Sequence, residues 1–194
     1  MLNRRFDGKH LILASQSPRR QYLLKELGLD YEILSTNVKE EYPQGLQPVE
    51  IARFLAELKA DSFDTTRLHE SSIIIAADTI VSLGDEILGK PADRREAAMM
   101  LGKLSGCRHE VITGVCLKSR KKKIIFHDTS FVFFKPLSEE EIDYYIDNFQ
   151  PFDKAGAYGC QEWIGYIGIS KIEGSFFNVM GLPVKELYEQ LLSF

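Results

Sequence analysis

Short apolar runs alternate with amphipathic stretches along the chain. His10–Ala14 and Ser72–Ala77 are apolar runs of strand length, and Val111–Leu117 and Ile124–Phe134 read as two more strands around the polar run Ser119–Lys123. Gly84-Asp85 carries a hairpin-turn signal. Helical spacing recurs from Pro48 to Phe63, where Ile51, Ala52, Leu55 and Leu58 define an apolar face. Asp93–Leu104 opens with an Asp93…Glu96 capping box and closes at Gly106, and Ser138…Glu141 opens a further helix through Phe149. Pro183 starts a last helix, with Val184, Leu187, Leu191 and Leu192 as its core positions. Alternating strands and helices, with no low-complexity linker and no fixed-period repeat, predict one α/β domain over residues 1–194.

Two strand-to-loop junctions carry candidate chemistry. The run ending at Ala77 delivers Asp78 and then Thr79 at the strand's carboxyl end, where ligands sit in open α/β sheets. An aspartate there also serves as a turn or cap residue. The run ending at Ala14 leads into Ser15-Gln16-Ser17-Pro18-Arg19-Arg20. Ser17 is a favoured N-cap, Pro18 a preferred first helical residue, and Gly28 the stop after Leu23, Leu24 and Leu27. Arg19 and Arg20 then fall in the first turn, where the helix dipole disfavours cations. An anion reverses that penalty. Free backbone N–H groups, two hydroxyls and two guanidiniums make a phosphate or carboxylate site.

With Leu88-Gly89-Lys90-Pro91 and Asp153-Lys154-Ala155-Gly156-Ala157-Tyr158-Gly159-Cys160-Gln161, these segments resemble the Maf family of nucleoside triphosphate pyrophosphatases. The resemblance runs from about Leu11 to Leu191, with four motifs in order. It implies an inosine-triphosphatase-like α/β fold, a central mixed sheet flanked by helices, with two lobes around a cleft. It also implies hydrolysis of a nucleoside triphosphate to monophosphate and pyrophosphate with a divalent metal, Mg²⁺ or Mn²⁺. The sequence is most similar to the branch acting on dTTP and UTP.

The same resemblance assigns roles to individual residues. Asp78 is the expected base and metal ligand, joined by Glu40 from the acidic stretch after the second strand, where Lys39 precedes Glu40 and Glu41. Ser15, Arg19, Arg20, Lys59 and Lys90 are expected to hold the triphosphate. Lys59 also sits seven residues after Ala52 on an apolar stripe, where a lysine can simply snorkel outward. Lys90 is fixed between Gly89 and Pro91. Arg20, Thr79 and Gln161 bear on base choice, since a glutamine amide offers both a donor and an acceptor to a thymine or uracil edge. Glu162-Trp163 departs from the family, which commonly has a glycine soon after the glutamine. Trp163 could stack on a base or anchor a core or dimer interface.

Composition narrows the function classes. The 194 residues are 44% hydrophobic with a net charge of −4, which argues against a general nucleic-acid binder. The basic run Ser119–Lys123 has no interleaved aromatics and reads as a solvated hairpin tip. Three cysteines without CxxC spacing and four scattered histidines exclude a disulfide framework and a structural zinc pattern. The basic start Met1–Arg5 precedes an apolar run too short for a signal-peptide core or a membrane span, so a cytoplasmic protein is expected, and homodimerisation is left open. Two alternatives stand beside the enzyme. A non-catalytic, nucleotide-binding regulator of septation would keep the phosphate site without turnover, and a phosphoryl transferase would need a P-loop that the sequence lacks.

Overall fold

The structure, a computed structural model, describes residue 6, residues 8–35 and residues 38–194. The basic stretch Met1–Arg5 lies outside the described residues. Seven strands form a mixed sheet in the order β2-β1-β3-β5-β6-β7, with β4 paired to β3. They are β1 (His10–Leu13), β2 (Tyr31–Ile33), β3 (Ser72–Leu83), β4 (Glu86–Leu88), β5 (Arg108–Lys118), β6 (Lys123–Phe134) and β7 (Ile169–Glu173). The helices are α1 (Pro18–Glu26), α2 (Pro48–Asp61), α3 (Arg94–Leu104), α4 (Glu139–Phe149), α5 (Trp163–Gly168), α6 (Phe176–Met180) and α7 (Val184–Ser193). The chain divides into two compact units. One comprises residues 1–78, 113–128 and 181–194, the other residues 79–112 and 129–180, and β3, β5 and β6 each pass from one to the other.

In the first unit β1 pairs in parallel with β2 and with β3. Ile12, Leu13, Ile74 and Ile75 are fully buried, which is why both runs lack polar alternation. Helix α2 begins with a capping box in which the Gln47 side chain takes the Glu50 N–H while Glu50 returns to the Gln47 backbone. Its buried face holds Ile51, Ala52, Leu55, Ala56, Lys59 and Ala60, whereas Leu58 is only half-buried. That stripe meets β5 at Gly114, where a Cβ would lie 2.2 Å from the Ala52 carbonyl oxygen. Only glycine permits that approach. Leu187 and Leu191 anchor α7 as expected, but Leu192 is 40% exposed, because it lies one position beyond the buried stripe.

The hairpin tip is exposed as its composition implied, but its cations also bind neighbouring groups. Arg120 donates to the carbonyls of Thr65, Thr66 and Leu68, and Lys123 reaches Glu57 and Asp61. Lys122 donates to the Ser193 carbonyl, 2.9 Å away. These cations serve the packing of their own unit.

In the second unit, β3 and β4 form the hairpin read from Gly84-Asp85, with Leu83 opposite Glu86 and Gly84 at φ +60°. Asp93 caps α3 through the Glu96 N–H, but the Glu96 carboxylate takes the Ala92 N–H instead of returning to Asp93. Ser138 and Glu141 complete the expected capping box of α4. Arg94 on α3 binds Asp143 and Asp147 on α4 at 2.9 and 2.8 Å. Elements β7, α5 and α6 carry no strong periodicity in the sequence.

Candidate active site

Asp78 does not end its strand. β3 continues to Leu83, while the ladder with β1 stops at Leu13 opposite Ile75, after which the Ala14 N–H donates to the Ile75 carbonyl. Asp78 therefore lies beyond the carboxyl end of β1. The parallel ladder stops at Ile75, short of the Ala77–Asp78 junction read from the sequence, and the strand itself runs past that junction. Asp78 is 6% exposed, and a buried carboxylate requires a partner.

Lys59 supplies it. The Lys59 ammonium, on the buried face of α2, lies 2.5 Å from Asp78 Oδ1 and 2.8 Å from Glu40 Oε1. Lys59 is 8% exposed, so the snorkelling alternative does not hold. Its cation is enclosed, and it joins the two acids that the sequence singled out.

The β1–α1 junction adds two guanidiniums. α1 starts with Pro18 at its first position and has no acidic residue in its first turn. Ser17 is extended at the N-cap position, but its side chain does not cap the helix. Its backbone N–H instead donates to Ser15 Oγ at 3.2 Å. That hydroxyl also accepts from Arg20 Nη1 at 3.4 Å, while Arg20 Nε donates to the Gly181 carbonyl at 2.8 Å. Arg20 is thus a held side chain, not a solvated one. Burial lowers its pKa from the ordinary arginine value, and Asp78 and Glu40 act in the opposite direction while Arg19 adds to the lowering. Within the first unit the carboxylates of Asp78 and Glu40 act on Lys59 and Arg20, and Arg19 adds a further cation close enough to Arg20 to act on it.

The second unit holds the remaining candidates. Thr79 follows Asp78 along β3 and is half-buried. Lys90 is exposed beyond β4, next to Gly89, whose carbonyl accepts the Gly156 N–H at 3.0 Å. Gln161 precedes α5 and is half-buried; its Nε2 lies 3.4 Å from Glu162 Oε1, and its backbone carbonyl accepts from the Tyr166 hydroxyl at 2.7 Å. Glu162 also binds Lys154 at 3.1 Å and the Tyr145 hydroxyl. Trp163 packs against Tyr144 of α4, with ring centroids 4.7 Å apart. Glu162, Lys154 and Tyr145 escaped the sequence reading as a group. Tyr145 resembles an ordinary core position of α4, whereas Lys154 lies inside a quoted motif and Glu162 stands out as a departure from the family; no local pattern links the three.

A family model described as Maf-like protein matches residues 10–194. The chain belongs to the Maf family. Among Maf relatives, a Flavobacterium psychrophilum protein named dTTP/UTP pyrophosphatase is 49% identical over 193 residues, covering 100% of this chain and 98% of its own. A Cytophaga hutchinsonii protein of the same name is 51% identical over 181 residues, covering 93% of this chain and 82% of its own. Among solved structures, a HAM1 protein from Coxiella burnetii aligns with 96% of this chain and 100% of its own, at a TM-score of 0.51 and 15% identity. That likeness concerns the fold, and it agrees with the mixed α/β architecture expected from the sequence.

Among the described residues no group of three or more His, Cys, Asp or Glu side chains could hold a metal ion. The first unit offers instead two carboxylates, of Asp78 and Glu40, converging on one cationic point, the Lys59 ammonium. An all-oxygen pair suits a hard cation such as Mg²⁺, which is commonly held by one or two carboxylates plus substrate phosphates. No helix of the described residues is long and apolar enough to cross a membrane.

Proposed function

We propose that this protein hydrolyses pyrimidine nucleoside triphosphates, dTTP and UTP, to the monophosphate and pyrophosphate. The observation that carries this reading is the Asp78–Lys59–Glu40 cluster beside the Arg19-Arg20 helix start. In a Maf-family chain whose relatives bear the name dTTP/UTP pyrophosphatase, that cluster combines a base with an anion receptor.

Water attacks the α-phosphorus, and pyrophosphate leaves. Asp78 orients the water and accepts its proton, with the Lys59 ammonium as the carboxylate's partner in its buried position. Arg19, Arg20, Ser15 and the backbone N–H groups at the start of α1 bind phosphate oxygens, joined by Lys90. Fixed charges of this kind stabilise the transition state without reorganising during reaction. Phosphoryl transfer requires little covalent chemistry from the protein, so positioning and electrostatics supply most of the acceleration. Asp78 and Glu40 would hold a divalent cation, which when bound neutralises phosphate charge and acidifies water. Gln161 pairs with the pyrimidine edge, and Thr79 and Arg20 contribute to base choice.

The direct test is to incubate pure protein with the canonical nucleoside triphosphates and Mg²⁺ or Mn²⁺, then resolve the products. Pyrophosphate and monophosphate, formed fastest from dTTP and UTP, are expected. Binding without products would identify a regulator, and a phosphorylated acceptor a transferase.

A further inference from the structure

We propose that Glu162 is a positioning residue that fixes which way round the Gln161 amide presents its donor and acceptor, so that uracil and thymine are favoured over cytosine. The inference rests on the pyrimidine triphosphate reading above.

A primary amide can pair with either pyrimidine type. Uracil and thymine present an N3–H donor beside a carbonyl acceptor, whereas cytosine presents an N3 acceptor beside an amino donor. Half a turn of the glutamine amide converts one match into the other. Discrimination therefore requires something that holds the amide.

Glu162 is placed to do so. Its Oε1 lies 3.4 Å from Gln161 Nε2, and a carboxylate only accepts, so the amide must turn its NH₂ group toward it. The Gln161 side-chain oxygen Oε1 is left on the Cys160 side, where the thiol approaches it at 3.7 Å. A flipped amide would set that oxygen against the Glu162 carboxylate and lose the hydrogen bond.

The carboxylate is itself locked from both ends. Oε1 also takes the Lys154 ammonium at 3.1 Å, and Lys154 is 7% exposed with Asp153 as a second partner at 2.7 Å. Oε2 accepts from the fully buried Tyr145 hydroxyl, which in turn accepts the Gly159 N–H at 3.0 Å. Burial, reinforced by the Glu162 carboxylate, raises the Tyr145 pKa above its ordinary value, which keeps the phenol a donor. Gly159 leaves no slack, since a Cβ there would lie 2.8 Å from both Gln161 Nε2 and Glu162 Cδ.

The test compares kcat/KM for UTP and CTP in the wild type, Glu162→Met, Glu162→Gln and the double variant Lys154→Met/Glu162→Met. The double variant removes the ion pair together, so no buried ammonium is stranded. The UTP-to-CTP ratio should fall by about 10-fold or more in both Met variants, partly through a gain on CTP. Glu162→Gln, which keeps an accepting oxygen, should retain most of the ratio. In a Gln161→Ala background the Glu162 substitutions should leave the ratio unmoved. Equal losses on UTP and CTP in both Met variants would overturn the proposal, leaving Glu162 a structural residue. Wild-type protein that turns over neither UTP nor dTTP would overturn the activity reading itself, and the role of Glu162 with it, before any variant is measured.

Discussion

The ammonium of Lys59 and Oδ1 of Asp78 lie 2.5 Å apart, two enclosed charges paired where β3 outruns β1. Each of the two buried groups has the other as its partner, where an unpaired charge would be costly. Breaking such a pair strands a charge, whereas an isosteric neutralisation leaves the shape intact.

Asp78→Asn should therefore lower kcat on dTTP by at least about 10³-fold, the scale of losing a catalytic base, while the melting temperature moves by only a few degrees. Glu40 remains as the partner of Lys59. Thermal unfolding beside steady-state kinetics checks both halves, and turnover within a few-fold of wild type would contradict the role of Asp78.

Lys59→Met removes the cation on which Asp78 and Glu40 converge. Activity should drop by about 10²–10³-fold. Calorimetry without nucleotide should show tighter Mg²⁺ binding than in wild type, because the ammonium no longer competes for the two carboxylates. Weaker Mg²⁺ binding would mean that the carboxylates are not the cation ligands.

Arg20→Lys keeps the charge but loses the fork that reaches Ser15 Oγ and the Gly181 carbonyl together. A loss in kcat/KM of about 2 kcal/mol is expected, with urea stability nearly unchanged. An unaltered kcat/KM would place Arg20 outside the phosphate site.

Gly114→Ala tests how α2 is seated, since the added methyl would meet the Ala52 carbonyl. The variant should lose about 3 kcal/mol of stability by urea unfolding, an overpacking cost against backbone that cannot rotate away. A change below about 0.5 kcal/mol would show that α2 shifts freely on β5.

His109 gives a pH dependence of stability. Its ring is buried against Phe134, shares a 2.7 Å hydrogen bond with the Tyr158 hydroxyl and leaves Nδ1 without a partner. Burial lowers its pKa to about 4, so the ring stays neutral in the fold. The associated stability is full above the unfolded value of about 6.5 and is lost as pH falls toward 4, about 3 kcal/mol in all. Urea unfolding between pH 7.5 and 4 should show a shallower decline for His109→Phe than for the wild type. Parallel declines would contradict this assignment.

Much of this was legible in the sequence, and the exceptions have physical causes. The parallel strands were readable because burial on both faces leaves continuous apolar runs, as in Ile73–Ala77. The start of α1 and the capping box of α4 follow from local chemistry. By contrast, the cap of α2 rests on Gln47, a residue type without strong cap preference, and Asp78 lies beyond a ladder that stops at Ile75 opposite Leu13, a partner distant in sequence. Ser17 takes the N-cap position read from the sequence, but its side chain does not cap the helix and its backbone N–H donates to the Ser15 hydroxyl. Lys59 was ambiguous on a helical wheel, where a buried cation and a snorkelling one occupy the same position. Glu162 is intelligible only through tertiary partners on α4 and in the loop before α5, which no local pattern connects.

The most direct test of the central claim is hydrolysis of dTTP in ¹⁸O-labelled water, followed by mass spectrometry of the products. Attack at the α-phosphorus predicts one ¹⁸O in the monophosphate and unlabelled pyrophosphate. Label in pyrophosphate, or release of orthophosphate as the first product, would contradict it.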